Sequence, residues 1–258
     1  MLDYHTLPAQ DWGVYPVLFK ISNFSMESYS FFVALAIIAG ILVFYWEARK
    51  HKSANEKTFY VVIAALVGGA LGSKIPVWVF HFREIIAALP DIGPILSGRT
   101  IVGGLIGGTL GVMLIKKYLH MNEKKGNLFA PAIALGIAIG RIGCFLRGCC
   151  YGIPTTLPWG VNFGDGILRH PTQIYESIFV LCLFVYLQKA KKKNPAPGQL
   201  FRFFMISYFI FRFLIEFIRV ETKIFLGLSG FQWSALLVLI YYFLTSNKVK
   251  SIIFTKKH

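Results

Sequence analysis

Acidic residues are scarce in this sequence, which has 12 Asp and Glu against 27 Lys and Arg in 258 residues. Charged residues of all kinds make up only 15% of the chain, whereas 55% of it is apolar and the mean hydropathy is +0.59. A soluble domain of this length has more charge and fewer apolar residues, so the composition excludes an ordinary soluble fold. Internal repeats and low-complexity tracts are also lacking, which predicts one lipid-solvated domain.

Seven apolar stretches are long enough to cross a hydrocarbon core of about 30 Å, which takes roughly 20 helical residues. They predict an all-α, polytopic integral membrane protein with about seven transmembrane helices. No basic segment, short apolar core and cleavage site open the chain, so we expect no removable signal peptide. The seven stretches are Tyr29–Trp46, Thr58–Phe80, Ile101–Leu119, Leu128–Leu146, Thr172–Gln188, Leu200–Ile218 and Phe231–Thr245.

Basic residues alternate between the ends of these stretches, and their distribution predicts the orientation. The positive-inside rule makes the segments rich in Lys and Arg cytoplasmic, which places the N-terminus outside and the C-terminus in the cytoplasm. The net charge of +15 therefore reflects membrane topology, and a nucleic-acid partner is excluded. The rich segments carry Arg49, Lys50, Lys52 and Lys57; Lys116, Lys117, Lys124 and Lys125; Lys189, Lys191, Lys192 and Lys193; and Lys248, Lys250, Lys256 and Lys257.

This topology divides the chain into three predicted parts. Residues 1–28 form an extracytoplasmic arm, either on the membrane surface or as a plain loop. Residues 29–247 form the transmembrane domain, and residues 248–258 form a basic cytoplasmic tail.

Five basic residues in or next to the predicted spans are not explained by the topology, and one of them, Arg202, lies near a cytoplasmic helix end where its side chain can reach the interface. The other four are Lys74, Arg141, Arg212 and Arg219. A central charge costs about 2.5–3.5 kcal/mol in a span, so each needs a polar cavity, a charged partner or a bound anion. The expectation is that Lys74 and Arg141 are unpaired cations.

One face of the sixth predicted helix carries polar residues. Tyr208, Arg212, Glu216 and Arg219 share this face, because their spacing keeps them within roughly 80° of arc. Two arginines around one glutamate leave excess positive charge, and a guanidinium can bind a phosphate through two parallel hydrogen bonds. The alternative is an ion-pair ladder that only fixes helix packing.

Cys144, Cys149 and Cys150 lie within seven residues at the predicted outer end of the fourth helix. They could form a disulfide, bind a metal, act as a nucleophile activated by Arg141 or Arg147, or simply pack. The Cys-x-x-x-x-Cys-Cys spacing is unusual for zinc, and no second ligand cluster is evident. We therefore predict no metal and no cofactor.

Two further patterns are informative. Glycines at small-xxx-small spacing, including Gly68, Gly103, Gly107, Gly136 and Gly140, predict close helix packing. The segment Arg169–Glu176 opens the fifth helix with a proline at its first turn. Its Gln173 and Glu176 then enter the membrane, and Glu176 has either a capping or a catalytic role.

Together these motifs resemble the prolipoprotein diacylglyceryl transferase family. They are, in order, Gly-Gly-Leu-Ile-Gly at 103–107, Gly-Arg-Ile-Gly at 140–143, Arg-His-Pro-Thr-Gln-Ile-Tyr-Glu at 169–176, and the Tyr208–Arg219 face. The resemblance implies a seven-helix fold and transfer of the diacylglyceryl group of phosphatidylglycerol, or of another anionic phospholipid, to a lipoprotein-precursor cysteine, releasing glycerol phosphate. It also implies that Arg141 and Arg212 bind the phosphate. We expect a multi-pass location in the bacterial inner (cytoplasmic) membrane.

The chain departs from the family pattern where acceptor chemistry is expected. Val102 replaces a histidine, Cys144 and Arg147 replace asparagines, and Cys149 replaces a glutamate. This pattern indicates a divergent paralogue that keeps phosphate binding and whose acceptor could differ from the usual cysteine. The alternative is an inactive protein that binds or translocates phospholipid.

These arguments give two groups of candidate residues. The catalytic candidates are Arg141, Arg212, Glu216, Tyr208, His170, Glu176, Cys144 and Cys149, with the base drawn from His170, Glu176, Glu216 or Tyr208. The substrate-binding candidates are Arg141, Arg212, Arg219, Lys74, Gly103, Gly104, Gln173 and Tyr29.

Overall fold

The computed structural model describes residues 12–22, 24–51, 53, 55–80, 82–87 and 98–254, and within these the chain is mostly helical. The long helices coincide with the predicted apolar stretches. Three ends differ by more than one helical turn or change the site: α1 continues to Lys50, α7 stops early, and α8 continues into the predicted tail. The helices are α1 Ser28–Lys50, α2 Glu56–Phe80, α3 Phe82–Ala87, α4 Ile101–Tyr118, α5 Gly126–Arg147, α6 Thr172–Lys191, α7 Gln199–Ile215 and α8 Gly230–Phe254.

Four helices in the described part of the chain are long and apolar enough to cross a membrane, namely α1, α2, α4 and α5. The apolar part of α8, Gly230–Thr245, is shorter. Helix α7 has only 17 residues and carries a buried arginine. Large apolar side chains such as Leu71 and Leu114 are 58% and 69% exposed. These features support a multi-pass membrane protein, because lipid is the solvent that such surfaces require.

The described ranges also contain three antiparallel hairpins, so the all-α prediction was incomplete. Their strands have two to five residues, which is too short to show an alternating pattern in the sequence. The first hairpin makes the described part of the arm more than a plain loop. Residues 1–11 of the arm and 255–258 of the tail lie outside the described residues. The strands are β1 Val17–Ile21, β2 Phe24–Glu27, β3 Val161–Asn162, β4 Leu168–Arg169, β5 Lys223–Phe225 and β6 Leu228–Ser229.

The chain divides into two compact units, one of which contains Tyr45–Glu123. In this unit α2 packs along α4 with glycines at the contact. A Cβ atom on Gly103 would lie 2.2 Å from the backbone oxygen of Gly72, and one on Gly107 would lie 2.3 Å from that of Gly68. Side chains cannot come this close, so the predicted close approach is confirmed for these helices.

The other unit contains residues 12–44 and 124–254 and is built around α5, α6, α7 and α8. Ser177 of α6 donates a hydrogen bond to the Ala138 oxygen of α5 at 2.8 Å. Helix α5 ends at Gly148, whose φ is +78°. The Trp12 ring nitrogen donates to the Gly148 oxygen at 2.8 Å. The hydrogen bond from Trp12 therefore fixes the arm to the C-terminal end of α5.

Glycines at the contact of α5 with α1 leave more space than those at the contact of α2 with α4. A Cβ atom on Gly136 would lie 3.4 Å from the Ala36 oxygen, and one on Gly140 would lie 3.9 Å from the Ala36 Cβ. These are ordinary contact distances. The spacing at Gly136 and Gly140 therefore does not produce the backbone approach that we predicted.

Candidate active site

Three arginines and two glutamates from separate elements form a buried charge cluster in this second unit. Arg141 comes from α5, Glu176 from α6 and Arg212 from α7, and Glu216 and Arg219 follow α7. Both glutamates have no exposed surface, and each arginine is 7% exposed or less. Burying five charges is costly unless each is paired, so the geometry of the pairs decides what the cluster can do.

Glu176 joins two of the arginines. Its Oε2 atom lies 2.8 Å from Nη2 of Arg141 and 3.8 Å from Nη1 of Arg212. Its Oε1 atom accepts a hydrogen bond of 2.8 Å from the Tyr208 hydroxyl. The prediction that Arg141 is unpaired was therefore wrong, because a single sequence cannot show which helix faces it. Glu176 acts at the centre of the cluster and not as a helix cap.

Glu216 joins Arg212 to Arg219. Its Oε2 atom lies 3.0 Å from Nη2 of Arg212 and 3.6 Å from Nε of Arg219. Its Oε1 atom accepts a hydrogen bond of 3.0 Å from Ser229, a residue that the sequence analysis missed. The sequence did offer a signal for Ser229: it and Gln232 are two polar residues at the start of the apolar stretch of α8. Both are buried in the structure.

The predicted continuous helical face is wrong beyond Ile215. Helix α7 ends there, Glu216–Ile218 form one turn of 3₁₀ helix, and Arg219 is extended with φ −94° and ψ 153°. A 3₁₀ turn rotates the chain further per residue than an α-helix does. Arg219 nevertheless contacts Glu216, with its Nε atom 3.6 Å from Oε2 of the glutamate.

Hydrogen bonding inside the cluster is incomplete. Ion-pair contacts bring the charges together, but several N–H groups are not directed at their acceptors. One donor from each arginine, Arg141 Nε, Arg212 Nη1 and Arg219 Nε, is buried with no hydrogen-bond partner among the described residues. Three donors on three guanidinium groups suit the oxygens of one phosphate. Three buried acceptor atoms likewise accept no hydrogen bond from the part of the chain that the structure describes, although two of them make ion-pair contacts: Gln173 Oε1, Glu176 Oε2 and Glu216 Oε2.

Three guanidinium groups face two fully buried carboxylates, and a third carboxylate, that of Glu221, lies at the edge of the cluster. The fully buried groups alone therefore have one positive charge in excess. Glu221, at the edge, places Oε1 3.1 Å from Nη2 of Arg219, and its side chain is 12% exposed. The charges of Cys150, Glu216 and Glu221 raise the pKa of Arg219 despite its burial, so that it keeps its charge.

The three cysteines converge beside this cluster. The Sγ atoms of Cys144, Cys149 and Cys150 all lie within 4.8 Å of one another. Residues of α6 hold the loop: Gln173 donates to the Cys149 oxygen, and Thr172 donates to the Cys150 oxygen at 2.6 Å. The spacing of the three cysteines in the sequence argued against a metal site. In the structure, Cys150 has a left-handed backbone with φ +64°, and the three thiols lie together.

The thiols also interact electrostatically. Hydrogen bonds from Cys144 and Cys149 lower the pKa of Cys150 well below its usual value, and the positive charges of Arg219 and Arg141 lower it further. Hydrogen bonding within the same trio raises the pKa of Cys149 well above its usual value. Arg219 also donates to the Cys150 oxygen at 3.2 Å. The thiol loop and the charge cluster are therefore one connected polar region.

Comparison with known proteins decides the family. Residues 16–246 match the family model described as prolipoprotein diacylglyceryl transferase. The chain belongs to the prolipoprotein diacylglyceryl transferase family. It is 35% identical over 218 residues to the phosphatidylglycerol–prolipoprotein diacylglyceryl transferase of Clostridium tetani, covering 81% of this chain and 86% of that one. It is 33% identical over 236 residues to the transferase 2 of Clostridium perfringens, covering 87% and 91% respectively. The resemblance seen in the sequence is confirmed, and the chain is a transferase.

Two other candidates of this transferase contact residues outside the charge cluster. Nδ1 of His170 lies 3.2 Å from the Tyr175 hydroxyl, which accepts a hydrogen bond of 2.8 Å from Trp159. The Tyr29 ring lies under the guanidinium of Arg147, whose Cζ is 5.3 Å from the ring centre. The expected activation of a thiol by Arg147 therefore has less support than activation by Arg141 or Arg219.

The remaining candidates, Lys74, Gly103 and Gly104, belong to the first unit. Gly103 lies at the α2–α4 contact, and its N–H donates to the Thr100 side chain, which caps α4, at 3.2 Å. Val102 is 3% exposed at the same helix start. The role of Gly103 inside its own unit is therefore packing and helix capping.

Proposed function

We propose that this transferase moves the diacylglyceryl group of phosphatidylglycerol to a cysteine thiol of a lipoprotein precursor. The names of the relatives support both substrates. The observation that carries the proposal is the set of three arginines, each with one buried N–H group that has no partner among the described residues. An anionic headgroup supplies the acceptors that these donors require.

In this reaction glycerol phosphate is the leaving group. The acceptor thiol loses its proton to solvent, its sulfur forms a bond to the terminal glyceryl carbon of diacylglycerol, and the bond between this carbon and the phosphate oxygen breaks. The electron pair leaves with glycerol phosphate, so negative charge grows on the phosphate in the transition state. Arg141, Arg212 and Arg219 stabilise that charge, since fixed donors in a water-poor site act most strongly where charge develops.

The two glutamates have a positioning role in this proposal. Glu176 contacts Arg141 and Arg212, and Glu216 contacts Arg212 and Arg219, so each guanidinium is oriented before the lipid binds. Tyr208 fixes one oxygen of Glu176. Gln173 Oε1 and Glu216 Oε2, which accept no hydrogen bond from the described residues, suit the hydroxyl groups of the glycerol headgroup.

A transfer assay tests the proposal. Purified protein is incubated with radiolabelled phosphatidylglycerol and a peptide that contains the lipoprotein cysteine, and we expect a thioether-linked lipopeptide and free glycerol phosphate. Phosphatidylethanolamine is the control donor, because its headgroup carries a positive charge near the arginines. Stoichiometric retention of phosphatidylglycerol without product would instead establish the lipid-binding alternative, which Val102 at the family's histidine position favours.

We also propose the orientation that the basic residues predict. The seven long helices then span the inner membrane, with the N-terminus outside and the C-terminus in the cytoplasm. Cys144, Cys149 and Cys150 would lie on the outer side and react, after reduction, with an impermeant thiol reagent added from outside. Labelling that appears only after the cytoplasmic face is opened would reverse this orientation, and a lack of labelling in both cases would indicate buried thiols.

A further inference from the structure

We propose that Cys144, Cys149 and Cys150 form a three-thiolate site for a thiophilic divalent metal ion of the zinc class, with its fourth position open to the acceptor thiol. The metal part of this inference rests on the cysteines alone. The role in activating the acceptor rests on the proposed function.

The distances fit such an ion. Zinc–sulfur bonds of about 2.3 Å place two sulfur ligands about 3.8 Å apart in tetrahedral geometry and about 4.0 Å apart in a trigonal plane. All pairs of Sγ atoms in the trio lie within 4.8 Å. Small rotations of the side chains therefore bring three ligands onto one ion, whereas a disulfide would pull two sulfurs to about 2.05 Å and leave the third alone.

The loop is held in the conformation that the site requires. Gln173 and Thr172 at the start of α6 fix the carbonyl oxygens of Cys149 and Cys150. Cys150 itself adopts a left-handed φ of +64°, which costs free energy in a residue other than glycine. A conformation of this kind persists only where the surrounding contacts determine it, and here its effect is to bring the three thiols together.

The charges nearby suit three thiolates. A divalent ion with three thiolate ligands carries one net negative charge. Arg141 and Arg219 lie close enough to interact electrostatically with Cys150, and Arg219 also donates to its carbonyl oxygen. These guanidinium groups offset the negative charge of the loaded site.

An open fourth position on the metal ion would allow the acceptor thiol to lose its proton without a histidine base. A free thiol has a pKa of about 8.5, so only a few per cent is thiolate at neutral pH. Val102 cannot act as the base that a histidine would provide. A thiol that binds zinc loses its proton to solvent, and the zinc-bound thiolate remains a nucleophile. Its sulfur would then attack the glyceryl carbon next to the phosphate held by the arginines.

Metal binding tests the site without any assay of activity. The full-length protein in detergent is reduced, freed of metal with a chelator and titrated with Cd²⁺, whose bonds to thiolates absorb in the ultraviolet. Zn²⁺ affinity is then measured by competition with a chromogenic chelator. We expect one ion per chain. The variants Cys144→Ser, Cys149→Ser and Cys150→Ser should each bind at least about tenfold more weakly, since loss of even an outer partner costs that much.

Cys182→Ser is the matched control, because Cys182 is an exposed, separate thiol on α6. It should bind the ion as the wild type does. Stoichiometric binding that survives in the triple serine variant, or a reduced wild type that binds no ion, would overturn the proposal.

The transfer assay separates this inference from the proposed function. Full transfer by protein freed of metal would refute the activating role while the transferase stands. Metal bound by the three cysteines with no transfer to any lipoprotein peptide would refute the proposed function while the metal site stands. Loss of transfer on metal removal, with phosphatidylglycerol binding retained and activity restored by Zn²⁺, is the result that we expect.

Discussion

Arg141 of α5 and Glu176 of α6 form a buried ion pair, with Nη2 and Oε2 2.8 Å apart. The pair links the Gly-Arg-Ile-Gly motif to the end of the Arg-His-Pro-Thr-Gln-Ile-Tyr-Glu motif, which lies on the next helix. The contact explains why the two motifs belong to one site. It also makes the position of Arg141 depend on Glu176.

Arg212→Ala should lower kcat/KM for lipid transfer by about 10²–10³-fold, which is the usual cost of removing one fixed donor from a charge-stabilising site. Arg212→Lys should recover little of this loss, because an ammonium cannot reproduce two parallel hydrogen bonds. The measurement is product formation at several phosphatidylglycerol concentrations. Arg202→Ala is the control on the same helix, since Arg202 instead donates to the Tyr242 oxygen. Equal activity of the Arg212→Ala variant and the wild type would refute phosphate binding by Arg212.

Glu176→Gln should destabilise the protein by about 3–5 kcal/mol, because it leaves Arg141 and Arg212 buried with less opposite charge. The hydrogen bond from Tyr208 can persist, so the change tests the charge and not the shape. Unfolding in mild detergent measures the effect. Asp165→Asn is the control, since it breaks the partly exposed pair with Arg169, which solvent screens, and should cost clearly less than Glu176→Gln. Similar unfolding of both variants would show that Glu176 does not balance the arginines.

Gly103→Ala and Gly104→Ala are neighbouring substitutions with different expected results. A Cβ atom would lie 2.2 Å from the Gly72 oxygen at position 103, but 3.5 Å from the Gly69 oxygen at position 104. The first should destabilise the α2–α4 packing by about 1–3 kcal/mol, and the second should have little effect. Thermal unfolding of the two purified variants distinguishes them. If both unfold as the wild type does, the close approach of α2 and α4 is not needed.

Asp165 and Arg169 should make stability depend on pH only under acidic conditions. The hydrogen bonds and charge of Arg169 lower the pKa of Asp165 to about 2, against about 3.9 in an unfolded chain. The folded carboxyl binds its proton less readily, so the stabilisation is complete above about pH 4 and is lost as the pH falls toward 2. The difference in unfolding between the wild type and Asp165→Asn should be constant from about pH 5 to 8 and vanish near pH 2. A difference that persists at low pH would contradict this prediction.

The wild-type chain should restore lipoprotein modification in cells depleted of their own diacylglyceryl transferase. The substitutions at Val102, Cys144 and Cys149 alone indicate that the acceptor could differ from the usual cysteine, and the convergence of the three thiols is the reason why we expect the usual acceptor. The comparison variant carries Val102→His, Cys144→Asn and Cys149→Glu, which restores the family residues. Rescue by this variant together with failure of the wild type would contradict the proposed acceptor.

Some features follow from the sequence alone. The long helices and the close packing at Gly103 and Gly107 could be predicted, because apolar length and glycine spacing act locally along the chain. The family was also recognisable from its motifs, since these are short and contiguous. The charged residues of the site could be selected because an ionised group in an apolar span needs a specific reason to be there.

Tertiary structure alone decided which of these residues meet. The pairing of Arg141 with Glu176, the end of α7 at Ile215 and the contact of Ser229 with Glu216 each join segments far apart in the chain or depend on a local change of backbone. The cysteine spacing argued against a metal site, because it does not reveal that Cys150 adopts a left-handed φ. Residue type sets the cost of burying each group, whereas its partner is set by the packing of separate helices, which the local sequence does not specify.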